Sequence, residues 1–411
     1  MKKIPAALIF LSTAALAGAE SLTISECYKL ARENYPMIRQ FELIRESEKY
    51  DLENATSGYL PQFSISANAM YLSDSPEVMG QPLLPQEQYR AQIGVTQVLW
   101  DGGNISAKKR LTGAQAKAEI ENNEVVLYEL NDRVNRIFFG ILLQSESLRQ
   151  NATHQRDIGD AIASVEAMAA NGTANEYDLS LLEVELLNTK QRESEIKSLR
   201  SAYMKMLSFL INRRVDENTT LVRPESSEEL KAEILRPELD YYAAREELLE
   251  AQRDSVDAGL APKISLFGYG GYGKSSFASL RDEKFYGLGG ISFSWSFGNY
   301  YTEQNEKLKI SAGKKAVRAR AEEFVFNTRL RMIQEDGEIK KMGELISRDA
   351  EIVRLRKSIA KLALARMKNG AISTTDFIRE LNAKELSEQT LISHAIEKLS
   401  REYNYKYLTN N

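Results

Sequence analysis

Gly58-Tyr59-Leu60-Pro61-Gln62-Phe63-Ser64-Ile65-Ser66 is echoed about 200 residues later by Gly259-Leu260-Ala261-Pro262-Lys263-Ile264-Ser265-Leu266. Further along, Gln97-Val98-Leu99-Trp100-Asp101-Gly102-Gly103 parallels Ser294-Trp295-Ser296-Phe297-Gly298-Asn299. Asn171-Gly172 followed by Asp178 parallels Asn369-Gly370 followed by Asp376, with the same Gly-to-Asp spacing. Three markers in one order at a nearly constant offset read as an internal duplication, so the repeated unit has to be understood first.

Each half opens its markers with period-two alternation, the signature of a strand with two unlike faces. Phe63, Ile65, Ala67, Ala69 and Tyr71 alternate with Gln62, Ser64, Ser66 and Asn68, and Tyr89, Ala91, Ile93 and Val95 alternate with Arg90, Gln92, Gly94 and Thr96. Pro76, Pro82 and Pro85 mark an exposed connection between them. In the second half Ile291, Phe293, Trp295 and Phe297 alternate with Ser292, Ser294 and Ser296, while the partner stretch Ile264 to Tyr272 is glycine-rich. Strands of roughly 9 to 13 residues suffice to cross a bilayer when tilted. The serine face, Ser64, Ser66, Ser292, Ser294 and Ser296, is then the wet one and the apolar face meets lipid.

Between the strand pairs and the Asn-Gly markers the period changes to seven. Val134, Ile141 and Leu148, with Leu130 and Ile137, form one apolar row, and Leu345, Ile352 and Ile359, with Leu355 and Leu362, form another. Such rows are coiled-coil seams. Asn104 to Ala170 and Thr302 to Lys368 contain no proline, so each predicts a helix about 100 Å long, too long for a compact domain. The helices Leu22 to Ser57 and Asn175 to Ile211 are each about half that length.

The organisation that follows is a signal peptide over 1–19, a first repeat over 20–220, a linker over 221–237 and a second repeat over 238–411. In the first repeat the strand pair covers about 60–100, the long helix 104–170, the tip 171–174 and the return helix 175–211. In the second, the strand pair covers about 262–297, the long helix 302–368, the tip 369–374 and the return helix 375–408.

Composition narrows the function. The 411 residues are 27% charged and 43% hydrophobic with mean hydropathy −0.39. The apolar run Ile4 to Leu16 follows Lys2 and Lys3 and ends at Ala17-Gly18-Ala19, the pattern of a cleaved export signal. Its removal takes the net charge from −4 to −6, leaving 52 basic residues against 58 acidic. That balance excludes nucleic acid as an expected partner. A single cysteine, Cys27, excludes an intrachain disulfide, and His154 and His394 stand far apart without a histidine partner, which disfavours a metal centre. No Gly-x-Ser-x-Gly or His-Glu-x-x-His constellation occurs, so neither catalysis nor a cofactor is expected.

Four amphipathic strands cannot close a barrel alone, and unpaired backbone in hydrocarbon costs several kcal/mol per group. Oligomerisation removes the edges. Two copies supply eight strands, a barrel that side chains nearly fill, whereas three supply twelve and leave a lumen. The fold class is therefore mixed: a membrane β-barrel to which each chain gives four strands, plus a long α-helical coiled-coil barrel, built from two internal repeats.

The Leu22-Thr23-Ile24-Ser25-Glu26-Cys27-Tyr28-Lys29-Leu30-Ala31 opening continues to Tyr35-Pro36. With the Gly-Tyr-Leu-Pro-Gln stretch, Leu-Trp-Asp-Gly-Gly and the two Asn-Gly tips, it resembles the TolC-like outer-membrane factors over essentially the whole mature chain. The resemblance implies a homotrimeric exit duct of a tripartite efflux or type I secretion system, and with the trimer a 12-stranded barrel. Such a duct sits in the outer membrane, reaches into the periplasm, and meets a periplasmic adaptor and an inner-membrane pump that chooses the cargo. It also implies that the tips, Asn171, Gly172 and Thr173 with Asn369, Gly370 and Ala371, contact the adaptor. Asp376 matches an acidic residue at the family's constriction, Asp178 is its counterpart, and Arg379 stands where the family has a second acid. Met367 and Ile372 occupy positions where latching polar groups are found in some members. Trp100, Phe285, Tyr286, Trp295 and Phe297 are expected either as interfacial aromatics at the barrel ends or as packing between strand ends and helix starts. A pore-less periplasmic adaptor or scaffold is the alternative, and it leaves the strands without a role.

Overall fold

The computed structural model describes residues 21–74, 77–78, 81–82, 85–217, 219–226, 230–275 and 280–411. Residues 1–19, the expected signal peptide, and Pro76 lie outside them. In chain order the elements are β1 (Ser21–Leu22), α1 (Ile24–Asn34), α2 (Ile38–Ser57), β2 (Gln62–Tyr71), β3 (Glu77–Val78), β4 (Gln81–Pro82), β5 (Glu87–Trp100), α3 (Asn104–Ala170), α4 (Glu176–Ile211), β6 (Thr220–Leu221), α5 (Pro237–Ala258), β7 (Lys263–Ser275), β8 (Leu280–Ser294), α6 (Tyr300–Lys368) and α7 (Thr374–Thr409). Among the described residues no helix is long and apolar enough to cross a membrane. The chain forms two compact units, and α3 and α6, unbroken helices of 67 and 69 residues, contribute to both.

One unit comprises residues 39–126 and 236–326. Its sheet has the order β2-β5-β7-β8, every neighbouring pair antiparallel, so among the described residues β2 and β8 are its edges. A bulge between Val98 and Trp100 ends the regular pairing of β5 with β7. The turn that follows explains the Leu-Trp-Asp-Gly-Gly sequence: Gly103 and Ile105 donate backbone N–H groups to the Asp101 carboxylate at 2.9 and 2.5 Å, which starts α3. Gly102 sits at φ +69° with Ala261 so close that no side chain fits. Asn104 and Asn299 donate to the carbonyls of Ala258 and Gly259 at 3.0 and 2.8 Å, tying both strand-to-helix junctions to the end of α5.

Helix α5 is held on both sides. Ala114 and Ala118 of α3 pack against Ala244, Leu248 and Ala251, small residues that let the backbones approach. Around that core run ion pairs at seven-residue spacing: Arg110–Asp254 at 2.5 Å and Lys117–Glu247 at 2.6 Å toward α3, and Lys307–Asp257 at 2.5 Å and Lys314–Glu250 at 2.7 Å toward α6. Arg318 adds a two-oxygen contact to Glu246.

The other unit comprises residues 21–38, 127–235 and 327–411. Its largest apolar cluster joins Val134, Phe138 and Ile141 of α3 to Leu207 and Ile211 of α4, Ile396 and Leu399 of α7, and Leu22, Ile24 and Cys27 near the start of the described chain. A second cluster joins Ile158, Ala161 and Val165 to Leu182, Ala363, Met367, Phe377 and Leu381.

The structure departs from the sequence reading at four places. The helix expected over Leu22 to Ser57 is two helices, because Pro36 disfavours helical backbone at Tyr35, which is extended at ψ 130°. The linker contains a strand: β6 pairs in parallel with β1 through Ser21–Thr220 and Leu22–Leu221, and Leu235 N–H donates to the Thr409 carbonyl. Strand β8 stops at Ser294, leaving Trp295, Ser296 and Phe297 in the turn that leads to α6.

The fourth difference concerns the seams. The α3 row at Leu130, Val134, Ile137 and Ile141 is buried, but the α6 row is not: Ile352, Leu355, Ile359 and Leu362 are 41–61% exposed. Within the chain α6 uses the neighbouring row, Val353, Ala360 and Met367.

Candidate functional site

Both Asn-Gly tips are the same local structure. Gly172 and Gly370 lie in the left-handed region at φ +71° and +67°. Thr173 and Ala371 N–H groups reach back to the carbonyls of Met168 and Arg366 at 2.9 and 2.8 Å, closing the last helical turn. Asn171 and Asn369 donate side-chain N–H groups to the Ala167 and Ala365 carbonyls. Gly172, Thr173, Gly370 and Ala371 are exposed.

The acids beyond each tip are capping residues. Asp178 and Asn175 form a capping box, each side chain accepting from the other's backbone N–H. Asp376 N–H donates to Ser373 Oγ at 3.0 Å, and the Ser373 hydroxyl donates to Asp376 Oδ2 at 2.8 Å. These Ser373 bonds, aided by Arg379 at 3.3 Å, hold the Asp376 carboxyl below the usual range. Arg379 also lies 3.6 Å from Glu380, and both Asp376 and Arg379 are exposed to solvent on the first turns of α7. Met367 is buried in the second apolar cluster and Ile372 packs against it, so neither side chain is available as a latch.

The sheet has two unlike faces, and the register assigns every paired residue to one of them. Phe63, Val95, Gly268 and Gly289 share a row, as do Ile65, Ile93, Gly270 and Gly287, then Ala67, Ala91, Tyr272 and Phe285, and, near the helix junctions, Leu266 and Ile291. This face is apolar and bare: Phe63, Ile65, Phe285 and Ile291 are 70–85% exposed. The other face carries Ser64, Gly94, Tyr269 and Leu288 in one row and Ser66, Gln92, Gly271 and Tyr286 in the next.

That second face is more aromatic than its serines suggest, and its rings lie flat over glycines. A Cβ on Gly94 would stand 2.7 Å from the Tyr269 ring, and one on Gly290 would stand 3.2 Å from the Phe267 ring. Aromatics covering strand glycines pin register and keep the surface low. Tyr286 therefore does not share a face with Phe285; the two-residue period puts it on the polar side, where its hydroxyl donates to Gln92 Oε1 at 3.0 Å. Trp295 donates its indole N–H to the Leu260 carbonyl at 2.9 Å and joins Phe293, Phe297 and Tyr300 in a chain of ring contacts, with Trp100 exposed at the end of β5.

Sequence reading passed over one further group, the polar residues between the two apolar clusters of the helical unit. Asn151 donates to the Thr189 carbonyl at 3.1 Å, Gln150 to Glu385 at 3.2 Å and to Glu388, and Lys384 pairs with Asp157. His154 is 4% exposed, and its Nδ1 has no hydrogen-bond partner, with Glu385 Oε2 3.9 Å away. Burial pushes its imidazole pKa down. A helical pattern whose apolar positions lapse into Asn, His and Lys over two turns was the available signal.

Comparison with known proteins agrees with this geometry. Residues 27–212 match the outer membrane efflux protein family model. No curated protein sequence matches the chain. Among solved structures, the outer membrane protein VceC from Vibrio cholerae superposes with a TM-score of 0.69 at 11% identity, covering 94% of this chain and 96% of that one. The CmeC outer membrane channel of Campylobacter jejuni gives 0.67 at 13%, covering 94% and 85%. The open state of the Neisseria gonorrhoeae MtrE outer membrane channel gives 0.67 at 15%, covering 94% and 88%. These structures share the fold. Residues 27–212 thus resemble the outer membrane efflux proteins in sequence, and the chain shares the fold of outer membrane channels over 94% of its length.

Proposed function

We propose that the chain is one protomer of a homotrimeric exit duct that conducts solutes from an inner-membrane pump, through a periplasmic adaptor, across the periplasm and the outer membrane. The observation that carries this reading is the sheet: four strands whose edges, β2 and β8, are unpaired among the described residues, with one face apolar over most of its length and exposed at Phe63, Ile65, Phe285 and Ile291. Joining β8 of one copy to β2 of the next satisfies the edges, and three copies make a barrel of twelve strands with a lumen.

The unused seam on α6 supports packing against a neighbouring copy. Ile352, Leu355, Ile359 and Leu362 form a heptad row that the chain does not bury by itself, as a helix facing a neighbouring protomer requires. In this reading the tips at Gly172 and Gly370 receive the adaptor, and Asp376, Arg379 and Asp178 line the narrow end of the duct. A pore-less periplasmic scaffold would leave the apolar sheet face in water.

The test is purification from outer-membrane fractions in detergent, cross-linking to count protomers, and reconstitution into planar bilayers. Trimers that open ion-conducting channels support the duct. A water-soluble monomer without conductance would overturn it.

A further inference from the structure

Two bare apolar rows in the helical unit stand at matching distances from the tips. On α6, Ile352, Leu355, Ile359 and Leu362 lie 18, 15, 11 and 8 residues before Gly370, and on α4, Tyr177, Val184 and Leu187 lie 5, 12 and 15 residues after Gly172. Both rows follow the three-and-four spacing of a coiled-coil seam, the second completed by Ser180. All seven apolar residues are exposed, so neither row covers the other within the chain. The two tips themselves are level: Val165, Leu182, Met367 and Phe377, each 3–10 residues from its own glycine, meet in one apolar cluster.

Charge keeps the same count. Arg366 stands 4 residues before Gly370 and Glu176 stands 4 after Gly172; Glu351 stands 19 before and Lys190 18 after; Arg348 stands 22 before and Glu195 23 after. The signs run basic, acidic, basic up α6 and acidic, basic, acidic up α4, and all six side chains are exposed. Helix ends favour Arg366 and Glu176 on their own account, but not the inverted signs of Glu351 and Lys190 in mid-helix. Contacts of these groups within the chain are loose or local: Glu344 is 3.8 Å from Arg348, Arg354 is 3.9 Å from Glu351, and Lys190 has Glu193 nearby, a carboxylate that Lys197 holds at 2.5 Å. Such surface contacts within one helix are weak. By contrast Arg356 and Lys357 are engaged by Glu380 and Glu388 of α7 at 3.1 and 3.0 Å. Glu183, beside the α4 row, comes level with Ile359 and so meets no like charge.

We propose that the α6 row of one copy is covered by the α4 row of the next, antiparallel and in the single register that sets Leu355 beside Leu187 and Glu351 beside Lys190. This inference rests on the duct reading and adds which two surfaces join its copies. Rotation about an axis along the rods keeps every tip at one height, so residues at equal counts from Gly370 and Gly172 pass within about one helical turn of each other. Apolar rows supply the burial, while flanking charges of matched sign select partner and orientation; a shift of two turns would bring Glu351 level with Glu195. The contact joins two different patches, the head-to-tail kind that closes a ring.

The experiment is oxidative cross-linking of the full-length protein in detergent, read on denaturing gels without reductant. Leu187→Cys/Leu355→Cys should give a ladder ending at three copies, whereas each single variant, and Leu187→Cys/Ile333→Cys, whose second cysteine stands 37 residues from Gly370, should stay at one copy. Charge supplies an independent readout. Lys190→Glu should lower the temperature at which the assembled copies separate, and Lys190→Glu/Glu351→Lys should restore it, as a cycle on a coupled pair requires. A cross-link confined to one chain, no cross-link at all, or a swap no better than the single reversal would overturn this interface while the assembly itself persists. A wild-type protein that runs as a monomer before oxidation would overturn the duct reading.

Discussion

The ring of Tyr286 lies across Gly271: a Cβ added to that glycine would stand 2.8 Å from the tyrosine Cζ and hydroxyl, and 2.6 Å from the Ala91 carbonyl oxygen. One contact is to a side chain that can swing away, the other to backbone that cannot. Gly271→Ala should therefore cost about 1–3 kcal/mol, as for other overpacked positions. Gly271→Ala/Tyr286→Ala should recover only part of the loss, because the carbonyl remains. The measurement is the temperature at which the assembled protein unfolds in detergent, compared across the two variants; full recovery in the double variant would show that the ring alone was the obstacle.

A different kind of glycine sits at each tip. Nothing lies within 4 Å of the Cβ position at Gly172 or Gly370, so substitution there meets no neighbour and only the backbone angle matters. A left-handed conformation costs an L-residue about 1–2 kcal/mol, less for asparagine. Thermal unfolding should rank Gly370→Asn above Gly370→Ala and Gly370→Ala above Gly370→Val, with the same order at Gly172. Equal stability for all three would mean that the tip relaxes into another turn.

The α5 ion ladder makes a pH prediction. Hydrogen bonds from Arg318 hold Glu246, and those from Lys314 hold Glu250, below the ordinary glutamate range. A depressed folded pKa means that the unfolded chain takes up the proton first. The ladder's stabilisation is thus complete above the unfolded value of about 4.5 and is lost as pH falls through the folded values. Arg318→Gln/Lys314→Gln should flatten the loss of stability below that point, seen as a smaller change in denaturation midpoint between neutral and acid buffer. The ladder is exposed, so added salt should shrink the difference between wild type and variant.

How much of this was legible in the sequence depends on the range of the signal. The rods α3 and α6 were readable because proline-free heptads persist over many turns, and β2 because Phe63 to Ala69 alternates without interruption. Pro36 carried its own warning and splits α1 from α2 as the backbone rule demands. The pairing of β1 with β6 was invisible, since two-residue strands have no period. The α6 row at Ile352 and Ile359 was seen, but a heptad does not say whether its partner is in the same chain. That Tyr286 shares the serine face follows from the two-residue period alone, but its contact with Gly271 depends on the β7–β8 register and was not legible.

Buried His154 offers the last test, at milder pH. Its lowered pKa arises mainly from burial, opposed by Glu385, Glu185 and Asp157 and aided by Lys384. The unfolded chain therefore binds a proton near pH 6.5 that the folded chain refuses until lower pH, and stability falls as pH drops through that window. Its Nδ1 has no hydrogen-bond partner, so an apolar ring of similar width leaves no protein group newly stranded at that atom. His154→Phe should remove the component of pH dependence that begins near pH 6.5 and leave the carboxylate component, which begins about two units lower, in place. Denaturation midpoints collected across that range separate the two. If wild type and His154→Phe fall in parallel, protonation of His154 does not limit the stability of the helical unit, and Glu385 compensates the buried charge as soon as it forms.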